Sequence, residues 1–284
     1  SIKYQDNMIN IEDTQGHQDF GGEVERVLTM VDGVILVVCA TEGIMKQTRY
    51  VAKKAMALGL KPVLVINKVG RETARIDEVE EEILELMFDL SVEEALSEYK
   101  TFYSSAKMFA SFETLDEVEA FVKRNVGKTG EDLMVDPTSD MGMSKILDYL
   151  IGNISVPNLL GNSEDPVKML ISQIDHDKIF GRIIRGKISS GTLLVGDSLN
   201  AYNFKKKLVE KGKISKIFKS NGVSRSEMEQ AKAGDIVGIT GFGKAGITDT
   251  LTNMKGSFCI SGPEFEQPTV CVEVLPNNSP LSGQ

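Results

Sequence analysis

The pattern of apolar and polar positions divides the chain into two parts. In the first, short apolar runs alternate with longer amphipathic stretches. Met8-Ile9-Asn10-Ile11 has the alternation of a buried strand. Gly33-Val34-Ile35-Leu36-Val37-Val38-Cys39 is apolar throughout, as expected for a parallel strand covered on both faces. Val63-Leu64-Val65-Ile66 and Thr101-Phe102-Tyr103-Ser104 give two more strands. Between them, a helix opens after Asp19-Phe20-Gly21-Gly22. A second runs from Gln47 to Leu58 with Val51, Ala55 and Leu58 on one face, and stops at Gly59. A third, Asp77 to Leu90, sets Val79, Ile83, Leu84, Met87 and Leu90 on a core stripe and Glu78, Glu80, Glu81, Glu82 and Glu85 on a solvated face. This rhythm predicts right-handed crossovers and a parallel sheet.

From Met108 to Gly142 the chain is more polar. Leu115, Val118 and Val122 predict one amphipathic helix followed by a flexible loop, and Ser144 to Ile151 a last helix. Ser155-Val156-Pro157 through Asp165-Pro166 is rich in turn formers and reads as a linker. Beyond it the period changes. Val167 to Ile174, Arg182 to Ile188, Leu193 to Tyr202, Lys213 to Phe218 and Asp235 to Thr240 are short strands with glycine turns, the pattern of a small β-barrel. Pro268-Thr269-Val270 starts one further strand.

Charge sharpens the division. The 284 residues carry a net charge of −9, but residues 167–256 hold 16 Lys and Arg against 8 Asp and Glu, leaving 16 against 33 elsewhere. A basic module beside an acidic one suggests an anionic partner, nucleic acid first. Lys205-Lys206-Lys207, Lys211, Lys213, Lys216 and Lys219 cluster in and beside an expected hairpin. Cys39, Cys259 and Cys271 have no metal-ligand spacing and suit structural thiols in a reducing compartment. No run approaches membrane-spanning length. Ser1 falls inside an expected strand, Ser1 to Tyr4, so the natural N-terminus is expected further upstream.

The candidate chemistry lies at strand ends. Asp13-Thr14-Gln15-Gly16-His17 follows the first strand, placing a carboxylate and a free backbone N–H where phosphate ligands and magnesium sit in α/β sheets. Gly16 permits close backbone approach, and His17 is able to order a water for attack on a phosphoryl group. Asn67-Lys68-Val69-Gly70 ends the third strand and Ser105-Ala106-Lys107 the fourth.

The stretch from Ile9 to Arg49 resembles the switch II region of translational GTPases, and Asp19-Phe20-Gly21-Gly22-Glu23-Val24-Glu25-Arg26 points within them to the TypA/BipA family. Phe180-Gly181-Arg182-Ile183, Ala233 to Gly241 and Ile247 to Leu251 resemble the second domain of such factors. The resemblance implies an α/β fold, a partial P-loop GTPase domain (a parallel sheet with flanking helices) over residues 1–154. A linker over 155–166, a translation-factor-type β-barrel over 167–256 and the start of a third domain over 257–284 follow. It implies GTP or GDP and Mg²⁺ as ligands, with His17 positioning water, Gly16 bonding the γ-phosphate, and Asp13 supporting the metal through water. Asn67 would brace the loops, Lys68 would pack over the base, and the N–H after Ser105 would meet guanine, alongside Lys107. The implied partner is the ribosome, with ribosomal RNA phosphates met by the basic barrel, in a cytoplasm or plastid stroma.

Two positions depart from the family pattern. Gly70 stands where an aspartate accepts two guanine hydrogen bonds, and Gln15 stands for a proline, which loosens the switch. No Gly-x-x-x-x-Gly-Lys-[Ser/Thr] precedes Asp13, and Gly127-Lys128-Thr129 only imitates its end, since Val122 stands where glycine is needed. The chain by itself is therefore expected not to hydrolyse GTP. Two readings stay open, part of a working GTPase and a degenerate nucleotide domain kept as scaffold for a ribosome-binding barrel. An unrelated phosphohydrolase using Asp13 and His17 ranks last, since it leaves the barrel and Asn67-Lys68 unexplained.

Overall fold

The computed structural model describes residues 1–14, 21–90, 99–125, 142–154, 159–221, 224–254, 256 and 258–260. The first apolar run forms a hairpin, not a sheet strand. β1 (Ile2–Tyr4) and β2 (Asn7–Ile9) pair antiparallel across a tight turn, with Gln5 at φ 52°, and among the described residues they bond to no further strand. Met8 and Ile11 are accordingly exposed, where the alternation predicts burial. The hairpin's contacts with α5 and β13 are polar, Tyr4 and Gln5 donating to Asp148 and the Ser1 amine to the Ser220 carbonyl.

The main sheet of this part runs β3 (Val34–Cys39), β4 (Pro62–Asn67), β5 (Lys100–Ser105) and β6 (Ala110–Phe112), the first three parallel and the last antiparallel. The reversal at β6 follows a short 3-10 turn over Ala106–Met108 that ends on Phe109 at φ 53°. α1 (Gly21–Leu28), α2 (Lys46–Ala57), α3 (Ile76–Leu90), α4 (Leu115–Asn125) and α5 (Ser144–Asn153) are the helices.

Strand parity assigns the two faces. Leu36, Val38, Leu64 and Ile66 pack with Val24 and Leu28 of α1, Ala52 and Ala55 of α2, and Val79, Ile83, Leu86 and Met87 of α3. On the other face Val63, Val65 and Phe102 meet Ile146 and Leu150 of α5. In register with Val63 and Val65 on that second face lie Ile35 and Val37 of β3, which are 44% and 56% exposed. The all-apolar strand is thus covered on one face only among the described residues.

The helix stripes shift in detail. Leu86, not Leu84, joins the α3 core, and Leu58 and Val122 are exposed where burial is expected. The α3 acids are not simply solvated: Glu82 accepts from the Ile44 N–H and pairs with Arg75, and Glu80 accepts from the Tyr103 hydroxyl. Gly43, at φ +73°, lets this loop close down, because a Cβ there would lie 2.1 Å from a Glu82 oxygen. The decoy Gly127-Lys128-Thr129 and the loop around it lie outside the described residues.

The second part is a β-structure of short strands, finer than the five runs predict. The first run splits into β7 (Lys168–Leu170) and β8 (Gln173–Asp177), and the third into β10 (Thr192–Leu194) and β11 (Ser198–Tyr202). Between β7/β8 and β10 runs the long β9 (Gly181–Ser190), which pairs with β7 and β8. β12 (Leu208–Lys213), β13 (Lys216–Asn221), β14 (Ser224–Met228), β15 (Gln230–Lys232), β16 (Ile236–Thr240) and β17 (Thr250–Thr252) complete it. The strand order is β12-β11-β17-β7-β9-β16-β13-β14, with β8 on β9 and a separate β10-β15 pair. Met169, Ile184, Ile188, Ile217, Ile239 and Leu251, all fully buried, fill its core. The strand expected after Pro268 lies outside the described residues.

The two parts touch. Val27 and Met30, at and just after the end of α1, pack on Ile236 of β16. Arg185 and Lys187, two apart and so on one face of β9, reach across to Glu12 and Asp32, each at 2.7 Å.

Candidate functional site

The carboxyl edge of the parallel sheet is built around the last residue of β4. The Asn67 amide oxygen accepts from its neighbour's Lys68 N–H at 2.8 Å, from the Ala106 N–H at 3.1 Å and from the Ser104 hydroxyl at 3.2 Å. One side chain therefore ties the loop after β4 to the loop after β5. Lys68 takes a left-handed conformation, φ 69°, and the next residue, Val69, donates its N–H to the Ser104 carbonyl. Ser104 and Ser105 are buried, while Ala106 and Lys107 are exposed.

Beside this edge, Cys39 ends β3 in register with Asn67. Burial would raise its thiol, but the Thr41 and Glu42 N–H groups and the Lys68 ammonium outweigh burial and hold it below the ordinary thiol value. The Lys68 amine thus reaches across two strand ends. Gly70 leaves a small space that Met108 borders: a Cβ at Gly70 would stand 3.1 Å from the Met108 methyl and 3.9 Å from the Ser105 hydroxyl.

The structure brings Asn67, Lys68, Ser105 and Ala106 together, with Lys107 at the rim. It does not hang Asp13 on the same edge. The strand before it stands outside the sheet, Asp13 is exposed, and its neighbour Glu12 turns into the barrel to meet Arg185. Gly16 and His17 lie outside the described residues. In the second half of the helix that follows them, Glu25 accepts from Tyr50 at 3.0 Å and pairs with Lys54 of α2, and Val27 meets the barrel.

Sequence reasoning missed Glu12. Its side chain is 7% exposed, and burial raises its carboxyl although Arg185 pulls the other way. The only available signal was its position next to Asp13, which gives no hint of a partner 173 residues away.

For a guanine nucleotide the edge supplies the Asn67 brace and Lys68, but the Ala106 N–H is held by Asn67 and Gly70 brings no carboxylate. The fit to the base is incomplete. For Mg²⁺, the described residues gather no group of three or more His, Cys, Asp or Glu side chains.

Parallel sheet, strand-end motifs and attached β-structure together define the class, a translational-GTPase-type domain pair. The Elongation factor Tu GTP binding domain family matches residues 1–156, and the Elongation factor G domain 2 family matches residues 166–254. Among curated proteins, the Large ribosomal subunit assembly factor BipA of Bacillus subtilis is 34% identical over 285 residues, covering 100% of this chain and 42% of that protein. Its Synechocystis and Escherichia coli K12 counterparts are 34% and 35% identical over 284 residues, covering 44% and 43% of those proteins. The chain spans less than half the length of these relatives. A solved structure, translation elongation factor SelB from Methanococcus maripaludis in complex with the GTP analogue GppNHp, superposes with a TM-score of 0.56 at 20% identity. It covers 84% of this chain and 45% of that one. The chain belongs to the TypA/BipA family of translational GTPases. No helix among the described residues is long and apolar enough to cross a membrane.

Proposed function

We propose that this chain is the nucleotide-binding and barrel portion of a ribosome-associated GTPase that hydrolyses GTP to GDP and acts in ribosome assembly. The observation that carries the reading is the Asn67 brace between the two base-side loops, in a chain 34% identical from end to end to a large ribosomal subunit assembly factor. In this reading Asn67, Lys68, Ser105, Ala106 and Lys107 form the base side, Asp13 supports Mg²⁺, and His17 and Gly16 act at the γ-phosphate. Residues 1–154 form the GTP-binding unit, 155–166 the linker and 167–256 the barrel, which meets ribosomal RNA. Cytoplasm or plastid stroma is the compartment such a partner requires.

The test is GTP turnover by the whole protein carrying this chain, with and without purified large ribosomal subunits. Subunits are expected to accelerate hydrolysis, and His17→Ala to abolish the acceleration. Equal rates with and without subunits would overturn the reading. Residues 1–284 alone are expected not to turn over GTP, for want of a phosphate loop within them.

Base selectivity gives a second handle. Two hydrogen bonds to a carboxylate are each worth about 1.5–3 kcal/mol, so Gly70 should leave guanine poorly distinguished. Gly70→Asp is expected to raise affinity for GDP over ADP and XDP at least tenfold in a fluorescence titration, since the one tight contact of a Cβ there, 3.1 Å, is with the terminal methyl of Met108. Unchanged ratios would show that the base does not lie beside residue 70.

A further inference from the structure

The turn between β11 and β12 is an exposed basic feature of the barrel, and it carries an aromatic ring. Phe204 is 68% exposed at its tip, followed by Lys205, Lys206, Lys207 and the 47% exposed Leu208. The turn is stiff. The Asn203 N–H donates to the Lys207 carbonyl, Lys206 N–H donates to the Asn203 carbonyl, and the Lys207 N–H donates to the Asn203 side chain, at 2.8–3.0 Å.

Its charge is uncompensated. Lys205, Lys206, Lys207, Lys211 and Lys213 are exposed and form no ion pair with the described residues, whereas Lys216 and Lys219 are taken by Glu227 and Asp235. The one acid between Asn203 and Lys213, Glu210, faces inward and accepts from the Gly243, Lys244 and Ala245 N–H groups. Lys211 and Lys213 stand two apart on β12, the edge strand of the sheet, so the basic row runs down from the tip. The barrel's other prominent aromatic turn is used up: Phe180 packs on Phe218 with ring centroids 4.9 Å apart and lies under Lys216. Over Phe204, among the described residues, Lys205 alone makes a ring contact, 5.4 Å from the centroid.

We propose that this tip is a recognition finger for RNA with an unpaired base, which stacks on Phe204 while Lys205, Lys206, Lys207, Lys211 and Lys213 follow the phosphates. A linear row of charge fits a polyanionic strand, while a lipid surface is planar and would meet only the tip. A rigid ring supplies a stacking platform that duplex RNA, with its bases already stacked, does not occupy. The inference rests on the reading of the barrel as an RNA-contacting module and names the feature it reads.

The test is fluorescence anisotropy with the 284-residue chain and two labelled RNAs: a hairpin with an open loop, and the same stem fully paired. The wild type is expected to prefer the open loop. Phe204→Ala should weaken loop binding about 5-fold or more and leave duplex binding unchanged, with Phe204→Tyr restoring the preference. Replacing Lys205, Lys206 and Lys207 by Ala should weaken both RNAs and lower the salt slope by roughly two. Thermal melting checks that these exposed substitutions leave the fold intact. If Phe204→Ala keeps the loop preference while the lysine variant loses affinity, the finger is refuted and the RNA-contacting barrel stands. If neither RNA binds, or if the chain binds phosphatidylglycerol vesicles through Phe204 and no RNA, both fall.

Discussion

The barrel and the α/β sheet use apolar strands in opposite ways. In the barrel, inward residues from strands at both ends of the order meet in one core, and Met169, Ile184, Ile217 and Ile239 retain no exposure. In the α/β part, β3 carries an equally apolar sequence, yet among the described residues α5 covers β4 and β5 and leaves Ile35 and Val37 open. Identical residue types therefore contribute unequally. What decides is whether a second layer reaches the strand, and the strand's own pattern says nothing of that.

Substitutions that contrast the two parts test this directly. The largest effect should come from Ile239→Ala in the barrel, which removes a fully buried side chain and should cost about 2–5 kcal/mol in urea unfolding. A much smaller loss would mean that the barrel core is loosely packed.

Arg185→Ala, which leaves the buried Glu12 carboxylate without its cation, should cost somewhat less, about 2–4 kcal/mol at pH 7. The sign with pH follows from Glu12's raised carboxyl, whose protonated form the fold favours. Its stabilising contribution is present below the ordinary glutamate value and is lost as pH rises through the folded value. Without Arg185 that value rises further, so the variant should approach the wild type at low pH and fall away from it toward neutrality. A constant difference across pH would place the interaction elsewhere.

Glu210→Gln should cost about 1–2 kcal/mol at neutral pH by weakening three hydrogen bonds to a charged acceptor. Burial alone would raise this carboxyl, but the three N–H donors outweigh it and hold it below the usual range. Its contribution is thus present above the ordinary glutamate value and vanishes as pH falls through the depressed one. Calorimetry at descending pH should show the two proteins converging. The smallest effect is expected for Val37→Ala, under about 0.5 kcal/mol, because its side chain is 56% exposed. A loss near that of Ile239→Ala would show the open face to be covered in solution.

Much of the architecture was legible where local pattern and final burial agree. The runs around Val63 and Thr101 became adjacent parallel strands, and the change of period after the linker marked the β-rich part. Asn67 was readable as a strand-end residue because polar Asn-Lys interrupts an apolar run just before a glycine. What stayed hidden depends on partners distant in sequence. Leu84 and Leu86 both fit a helical stripe, and only the placement of α3 on the sheet chooses Leu86. Glu82 looks like any acid in a charged helix until Gly43 and Arg75 are brought to it. The first hairpin misled because, among the described residues, it pairs with no sheet and Met8 and Ile11 stay exposed.

The adjacent pair Glu12 and Asp13 works as a yoke. One carboxylate is bolted to Arg185 while that of its neighbour is exposed. Further along the chain Val27 and Met30 bear on Ile236, so described residues on either side of 15–20 touch the barrel. Two separate points of the α/β part, Glu12 and the end of α1, therefore take their position from the barrel.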